Sequence, residues 1–338
     1  MKKLSVLAFI AMILHAVNVN AVDNNTVEIV YNGDNATVTI APNISNYVTV
    51  QSGSSSHVKL IQDEAFEGVD ATMNNVYGEI IYVLSGTSTD GEFYVEGSYK
   101  SIVELNGLSL TNPSGPAINI QNGKRISFSV KKDTKNSISD GVNEEYNGCL
   151  HCKGHLKMKG KGELNVSGNS RHGIYSKEYI EIKNLTLNIT NAIKDAIHCK
   201  EYFLMESGSV NISSAQDDGI QVELSGLEST GVKTDHEDED TGNFYMESGT
   251  LTITGYAGSA IKTDGTISYI GGTQNFDVND TQTLASINDV KTAFKKNAVV
   301  YDLSGRRVMP GTVTNRGVYV VKRDGLFSKI IGNSIIKK

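Results

Sequence analysis

Three sets of residues in this chain have types and spacings that could do chemistry. Cys149-Leu150-His151-Cys152 has the CxxC spacing of a thiol redox pair or of half a zinc site. Asp195 and the adjacent Asp217 and Asp218 stand just ahead of short apolar segments, and an acidic run, Asp235-His236-Glu237-Asp238-Glu239-Asp240, follows them. Calcium takes about six to eight oxygens from carboxylates, carbonyls and water, so such a set could hold it once folding gathers the ligands. No EF-hand loop spacing is present to do this within one short segment. The third set is Lys153, Lys177 and Lys200, each two residues after His151, Tyr175 or His198. Cationic and ring-bearing side chains returning at equal intervals could lie against a linear polyanion.

What positions these residues is an internal repeat. A small residue, then Ile or Leu, a polar residue and a small or apolar residue recur around Ile118, Leu150, Ile174, Ile197, Ile220 and Ile261, with steps of 32, 24, 23, 23 and 41. A second motif follows at Ile126, Met158, Ile182, Met205 and Met246, and a third at Val166, Ile189, Ile212 and Ile253. Met205-Glu206-Ser207-Gly208-Ser209-Val210-Asn211-Ile212 and Met246-Glu247-Ser248-Gly249-Thr250-Leu251-Thr252-Ile253 are near copies. The long steps are ordinary coils carrying loops, one between Gln221 and Met246 and a shorter one around Lys131 to Asn147. Apolar residues alternate with period two in short segments, and glycine is frequent, so the repeat is β rather than helical. Three segments per turn of about 23 residues predict an all-β, three-sided parallel β-helix with equivalent residues stacked about 4.8 Å apart.

This register assigns each candidate residue a place. The Ile anchor points inward and so does the residue two beyond it, which puts Cys152, Ser176 and Cys199 in one interior column. Cys152 and Cys199 are then roughly 9.6 Å apart, too far for a disulfide, and Cys149 fills a position held by Gly or Ala elsewhere. The CxxC is therefore read as core packing. Outward, His151, Tyr175 and His198 form one column and Lys153, Lys177 and Lys200 another. Stacked like charges repel, and a polyanion along the coil axis would neutralise them; a merely solvated face is the other reading. Asp195 and Asp218 fall at equivalent positions before their anchors, where two nearby carboxylates call for a proton or a cation.

The composition agrees, with 33 Gly, 4 Pro and no Trp. A net charge of −7 argues against a nucleic-acid binder. Lys2 and Lys3, the apolar run Leu4 to Val17, and Val19-Asn20-Ala21 predict a signal peptide over residues 1–21. The chain is expected to be secreted or on the cell surface, monomeric and without a transmembrane segment. The alternating residues 22–75 are read as a β cap, 76–280 as the β-helix, 281–298 as a linker and 299–338 as a small β appendage.

Gly107-Leu108-Ser109-Leu110-Thr111-Asn112-Pro113-Ser114-Gly115-Pro116-Ala117-Ile118-Asn119-Ile120, Asn136-Ser137-Ile138-Ser139-Asp140-Gly141 and Gln216-Asp217-Asp218-Gly219-Ile220 resemble a bacterial carbohydrate-binding β-helix family related in shape to pectate lyases. The resemblance covers about residues 78–275. It implies a right-handed β-helix with bound calcium that recognises acidic polysaccharide such as polygalacturonate, with Asp217 and Asp218 in the family's aspartate-glycine-isoleucine turn. Asp195-Ala196-Ile197 departs from that turn by losing the glycine, and Arg171-His172-Gly173-Ile174 by losing the aspartate. Val300-Tyr301-Asp302-Leu303-Ser304-Gly305-Arg306-Arg307-Val308 and Gly317-Val318-Tyr319-Val320-Val321-Lys322 are similar to the type IX secretion sorting segment of Bacteroidetes.

A β-helix can also host a lyase or hydrolase. Asp195, Asp217 and Asp218 could supply a hydrolase's carboxylates, with His172 assisting. However, the glycine-histidine-glycine and arginine-isoleucine-lysine signatures of polygalacturonases are absent from the sequence, and only Arg171 stands near the acidic column as a lyase base. The sequence is therefore read as a non-catalytic binder of acidic polysaccharide, with an enzyme or an adhesive surface protein as the alternatives.

Overall fold

The computed structural model describes residues 22–68, 78–226, 239–277, 299–302, 307, 316–323 and 326–333. Residues 1–21, expected to be a signal peptide, residues 281–298, expected to be a linker, and the acidic residues Asp235, Glu237 and Asp238 lie outside the described residues. Among those described the chain is almost wholly β, and its strands wind into a parallel solenoid.

Six regular coils run from Ile118 to Phe276, each with three strands. The first face stacks Ile118–Gln121, Gly148–Cys152, His172–Ser176, Ile197–Lys200, Ile220–Glu223 and Ile261–Thr263. Its register pairs Ile118 with Leu150, Leu150 with Ile174, Ile174 with Ile197, Ile197 with Ile220 and Ile220 with Ile261. Each spacing read from the sequence is thus a hydrogen-bonded neighbour relation. On the second face Met158 pairs with Ile182, Ile182 with Met205 and Met205 with Met246. On the third, Val166, Ile189, Ile212 and Ile253 align.

One position of the second motif is corrected. Ile126 pairs with Leu156, and it is Phe128 that pairs with Met158. The corner after Ile118–Gln121 is two residues longer than its counterpart in the next coil, which shifts the register by one full pleat and keeps the same face inward.

The core is the inside of this coil. Ile118, Leu150, Ile174, Ile197 and Ile220 are fully buried, as are the inward residues of the other two faces, and Phe203 stacks on Phe244 at 5.1 Å. Cys149, Cys152 and Cys199 are free and buried among them. Burial raises all three thiols, Cys152 to about 12, so they are inert packing groups as the register implied. Outside the third face an asparagine ladder adds amide bonds between coils: Asn188 donates to Asn165, and Asn211 to Asn188, each at 2.9 Å.

Upstream, Ile80–Ser88 and the long strand Ser101–Asn112 form the first, wider coils. Ser101–Asn112 spans a corner, pairing with Ile126–Val130 at one end and Lys135–Asp140 at the other. The boundary of the cap is also corrected. Thr26–Asn32 already pairs in parallel with Ile80–Ser88, and His57–Gln62 with Glu92–Glu96. Only Asn35–Ile40 and Val48–Val50 run antiparallel, so the region expected to be cap is a partial coil with two returning strands that close the open end. The C-terminal appendage is a separate antiparallel sheet of Val299–Asp302, Arg316–Arg323 and Leu326–Asn333.

Gly208 and Gly249 turn the same corner in successive coils, with φ of 104° and 92°. A Cβ on Gly249 would collide with the carbonyl oxygen of Gly208. Gly249→Ala should therefore cost about 2–3 kcal/mol, read as a lower urea midpoint at unchanged slope. Gly33→Ala serves as the control, since Gly33 has a similar positive φ and open space around it.

Candidate functional site

The parallel register carries Asn119, His151, Tyr175, His198, Gln221 and Lys262 up one outward column of the first face. His151 stacks on Tyr175 at 5.2 Å and Tyr175 on His198 at 5.4 Å, with Tyr146 edge-on to His151. The rings point away from the core as expected, yet His151, Tyr175 and His198 are only 8%, 9% and 7% exposed. Their faces are spent on each other, so they support the site rather than offering a platform for a sugar ring. Burial first, and Lys153 second, lower His151 to about 4, which keeps it neutral near pH 7.

Lys153 and Lys177 follow on neighbouring coils, both exposed, and neither has an ion-pair partner among the described residues. Lys200 differs from them. It is half-buried and lies 3.9 Å from Glu223, its register partner on the next coil. The expected basic column is thus two free ammonium groups and a third already shared with a carboxylate.

At the corner before the anchors, the column two residues upstream reads Gly148, His172, Asp195 and Asp218. Asp195 Oδ2 lies 3.0 Å from His198 Nδ1 and 3.3 Å from His172 Nδ1, while its Oδ1 accepts the Asp218 backbone N–H at 3.0 Å. Burial pushes Asp195 up, but the two imidazoles and the Asp218 amide outweigh it and hold the carboxyl below the usual range. Burial lowers His172, with Asp195 opposing. Asp218 is likewise engaged: Oδ1 accepts from Ser259 N at 2.7 Å and Oδ2 pairs with Lys262 Nζ at 3.0 Å. Asp217 is exposed. The repulsion expected between Asp195 and Asp218 is therefore already answered by imidazoles, amides and an ammonium.

The acidic insertion was expected to leave the coil beside these aspartates. It leaves instead after Ile220–Glu223, at the other end of the strand, where Asp240 accepts the Ser225 N–H at 2.6 Å. Asp240 is therefore at the next corner, away from Asp217 and Asp218.

Two features go beyond the sequence reading. His172, named there only as an aid to catalytic carboxylates, joins the site because the corner turns its ring onto His198, 4.5 Å away; aligning the column two before each anchor would have placed it. On the following corner Glu178 and Glu201 approach on adjacent coils, and burial together with the bond to Glu201 pushes Glu178 up to about 7. Nearby, a cleft of about 680 Å³ near the N-terminal coils is lined by Tyr99, Lys100, Lys124, Arg125, His155 and Tyr179.

Fold and site together define a class: a parallel β-helix with charged side chains in columns along one face. A family model described as carbohydrate-binding domain-containing protein matches residues 67–302, and the chain belongs to that family. A carbohydrate-binding domain-containing protein of Acetivibrio thermocellus is 24% identical over 112 residues, which is 30% of this chain and 39% of that protein. The match thus spans well under half of that relative's length. The solved structure of the polysaccharide lyase-like protein from C. thermocellum, a gadolinium derivative, shares the fold with a TM-score of 0.53 at 18% identity, covering 75% of this chain and 98% of that one.

Asp140, at the corner leading into Gly148–Cys152, is buried, and Oδ2 has no hydrogen-bond partner. Burial raises it from 3.8 to about 6, against the N–H groups of Asn169 and Ser170. The folded state holds this proton more tightly than the unfolded chain does. Its stabilisation is full below about pH 4 and lost as pH rises to about 6. Asp140→Asn should flatten that decline, which amounts to about 3 kcal/mol at most, in urea melts across pH 4–7.

Proposed function

We propose that this chain is an exported, non-catalytic protein that binds acidic polysaccharide of the polygalacturonate type along its first face, as a monomer. The observation that carries this reading is the pair of exposed, unpaired lysines, Lys153 and Lys177, on adjacent coils of a chain whose net charge is −7. Membership of a carbohydrate-binding family supports the ligand class, and the column direction supports a linear polyanion lying along the coil axis. Lys200 joins by releasing Glu223, and His151, Tyr175 and His198 hold the column straight from beneath.

Calcium belongs to the same proposal. Carboxylate oxygens of Asp195, Asp217 and Asp218 lie within 4.8 Å of one another. The place a cation would take is held by the Lys262 ammonium, whose side chain is 48% exposed and can swing out. Calcium would bridge these carboxylates and the uronate, supplied by Asp217 and Asp218 above all. The C-terminal antiparallel sheet is proposed to serve export or outer-surface attachment, in keeping with its sorting-segment resemblance.

Support for a binder over an enzyme comes from the engaged state of the acids: Asp195 and Asp218 serve amides, imidazoles and Lys262 and do not flank an open groove as a free acid and base. Titration calorimetry with polygalacturonate is the test. Lys153→Ala and Lys177→Ala should each weaken binding about threefold to fivefold, the pair more, with the loss shrinking as salt rises. Chelation should weaken wild type, and Lys262→Met should tighten calcium. Equal binding of neutral glycans, or release of unsaturated ends from the polymer, would overturn the reading.

A further inference from the structure

Asp195 also belongs to the carboxylate set of the calcium reading, but the nitrogen ligands that His172 and His198 place beside it are used by neither that reading nor the glycan one. We propose that these three side chains bind one borderline divalent transition-metal ion of the zinc(II) type, through Nδ1 of each histidine and Oδ2 of the aspartate. A tetrahedral ion with bonds of about 2.0–2.1 Å has its ligand atoms about 3.3–3.4 Å apart. Asp195 Oδ2 lies 3.3 Å from His172 Nδ1 and 3.0 Å from His198 Nδ1, and all three ligand atoms fall within 4.8 Å of one another. Two sides of the triangle thus lie close to that spacing, and the third falls within 4.8 Å.

A second observation points into the triangle. The His172 side chain is 9% exposed, and its Nδ1 has no partner in hydrogen-bond geometry. A buried polar nitrogen left in that state is unfavourable. Ligation would satisfy it.

The surroundings are those of a supported metal site. His198 Nε2 lies 3.4 Å from Glu223 Oε2, so a carboxylate stands behind the imidazole on the side away from the triangle. Asp195 Oδ1 is held by the Asp218 N–H at 3.0 Å, leaving Oδ2 for the triangle. Tyr175 stacks on His198 and lies 5.9 Å from His172, so both rings are fixed. The ligands come from adjacent coils, which makes the ion a clip between them. Two nitrogens and one carboxylate oxygen select zinc, cobalt(II) or nickel(II); calcium, which takes oxygens, would be excluded from this triangle.

The test uses the full tag-free chain, stripped with a chelator and titrated with cobalt(II) and then zinc(II). One equivalent of cobalt(II) should produce visible ligand-field absorption, abolished by one equivalent of zinc(II) and untouched by excess calcium. His172→Ala and His198→Ala should each weaken cobalt binding at least tenfold. His57→Ala, which removes a histidine on an N-terminal strand where it pairs with Asp90, should bind as wild type does. If either alanine variant misfolds by circular dichroism, His172→Asn and His198→Asn replace it. Absence of the absorption in folded wild type, displacement by calcium, or full binding in both histidine variants would overturn the proposal. Because glycan affinity is measured separately, with calcium restored and no transition metal added, failure here leaves the polysaccharide reading standing, and the reverse.

Discussion

Each coil of the solenoid gives its backbone amides to the coil beside it, so a side chain's neighbours are set by its place in the coil and not by its neighbours in sequence. Leu150 meets Ile118 and Ile174, 32 and 24 residues away, because the parallel ladder puts them there. That constraint is what makes columns. It packs Ile over Ile inside, stacks Tyr175 between His151 and His198 outside, and sets Asn188 and Asn211 donating up a ladder on the third face.

Columns have an electrostatic cost, since identical positions repeat within about 5 Å. The chain deals with it in two ways. Where burial is deep, it alternates chemistry up the column: His172, Asp195 and Asp218 are balanced by His198, Ser259 and Lys262. Where the face is open, it leaves the charge uncompensated, as at Lys153 and Lys177. The proposed polyanion site rests on this contrast.

How much of this was legible follows from the same geometry. The anchors Ile118 to Ile261 could be read because interior apolar positions tolerate little substitution of type, and the near copies around Gly208 and Gly249 marked a corner where positive φ demands glycine. The demotion of Cys149 and Cys152 to packing also followed from register alone. Ile126 was misplaced because a two-residue change in a corner is invisible where every second residue is apolar. The burial of the aromatic column was not legible, since direction from the core is a matter of parity, but exposure depends on whether neighbouring coils also bring rings. The contact of His172 with His198 was not legible because corners break the period-two rule, nor were the partners of Asp218 and Lys200, because ion pairs form between coils whose loops differ in length.

The central claim is that an acidic polysaccharide lies along the coil axis over Lys153, Lys177 and Lys200. The most direct measurement is the affinity of oligogalacturonides of increasing length, by calorimetry at two salt concentrations. Affinity should rise with length until the oligomer spans the roughly 9.6 Å between the first and third lysines, then level off, and it should fall with salt at every length. A disaccharide that binds as tightly as the long oligomers, with no response to salt, would contradict it.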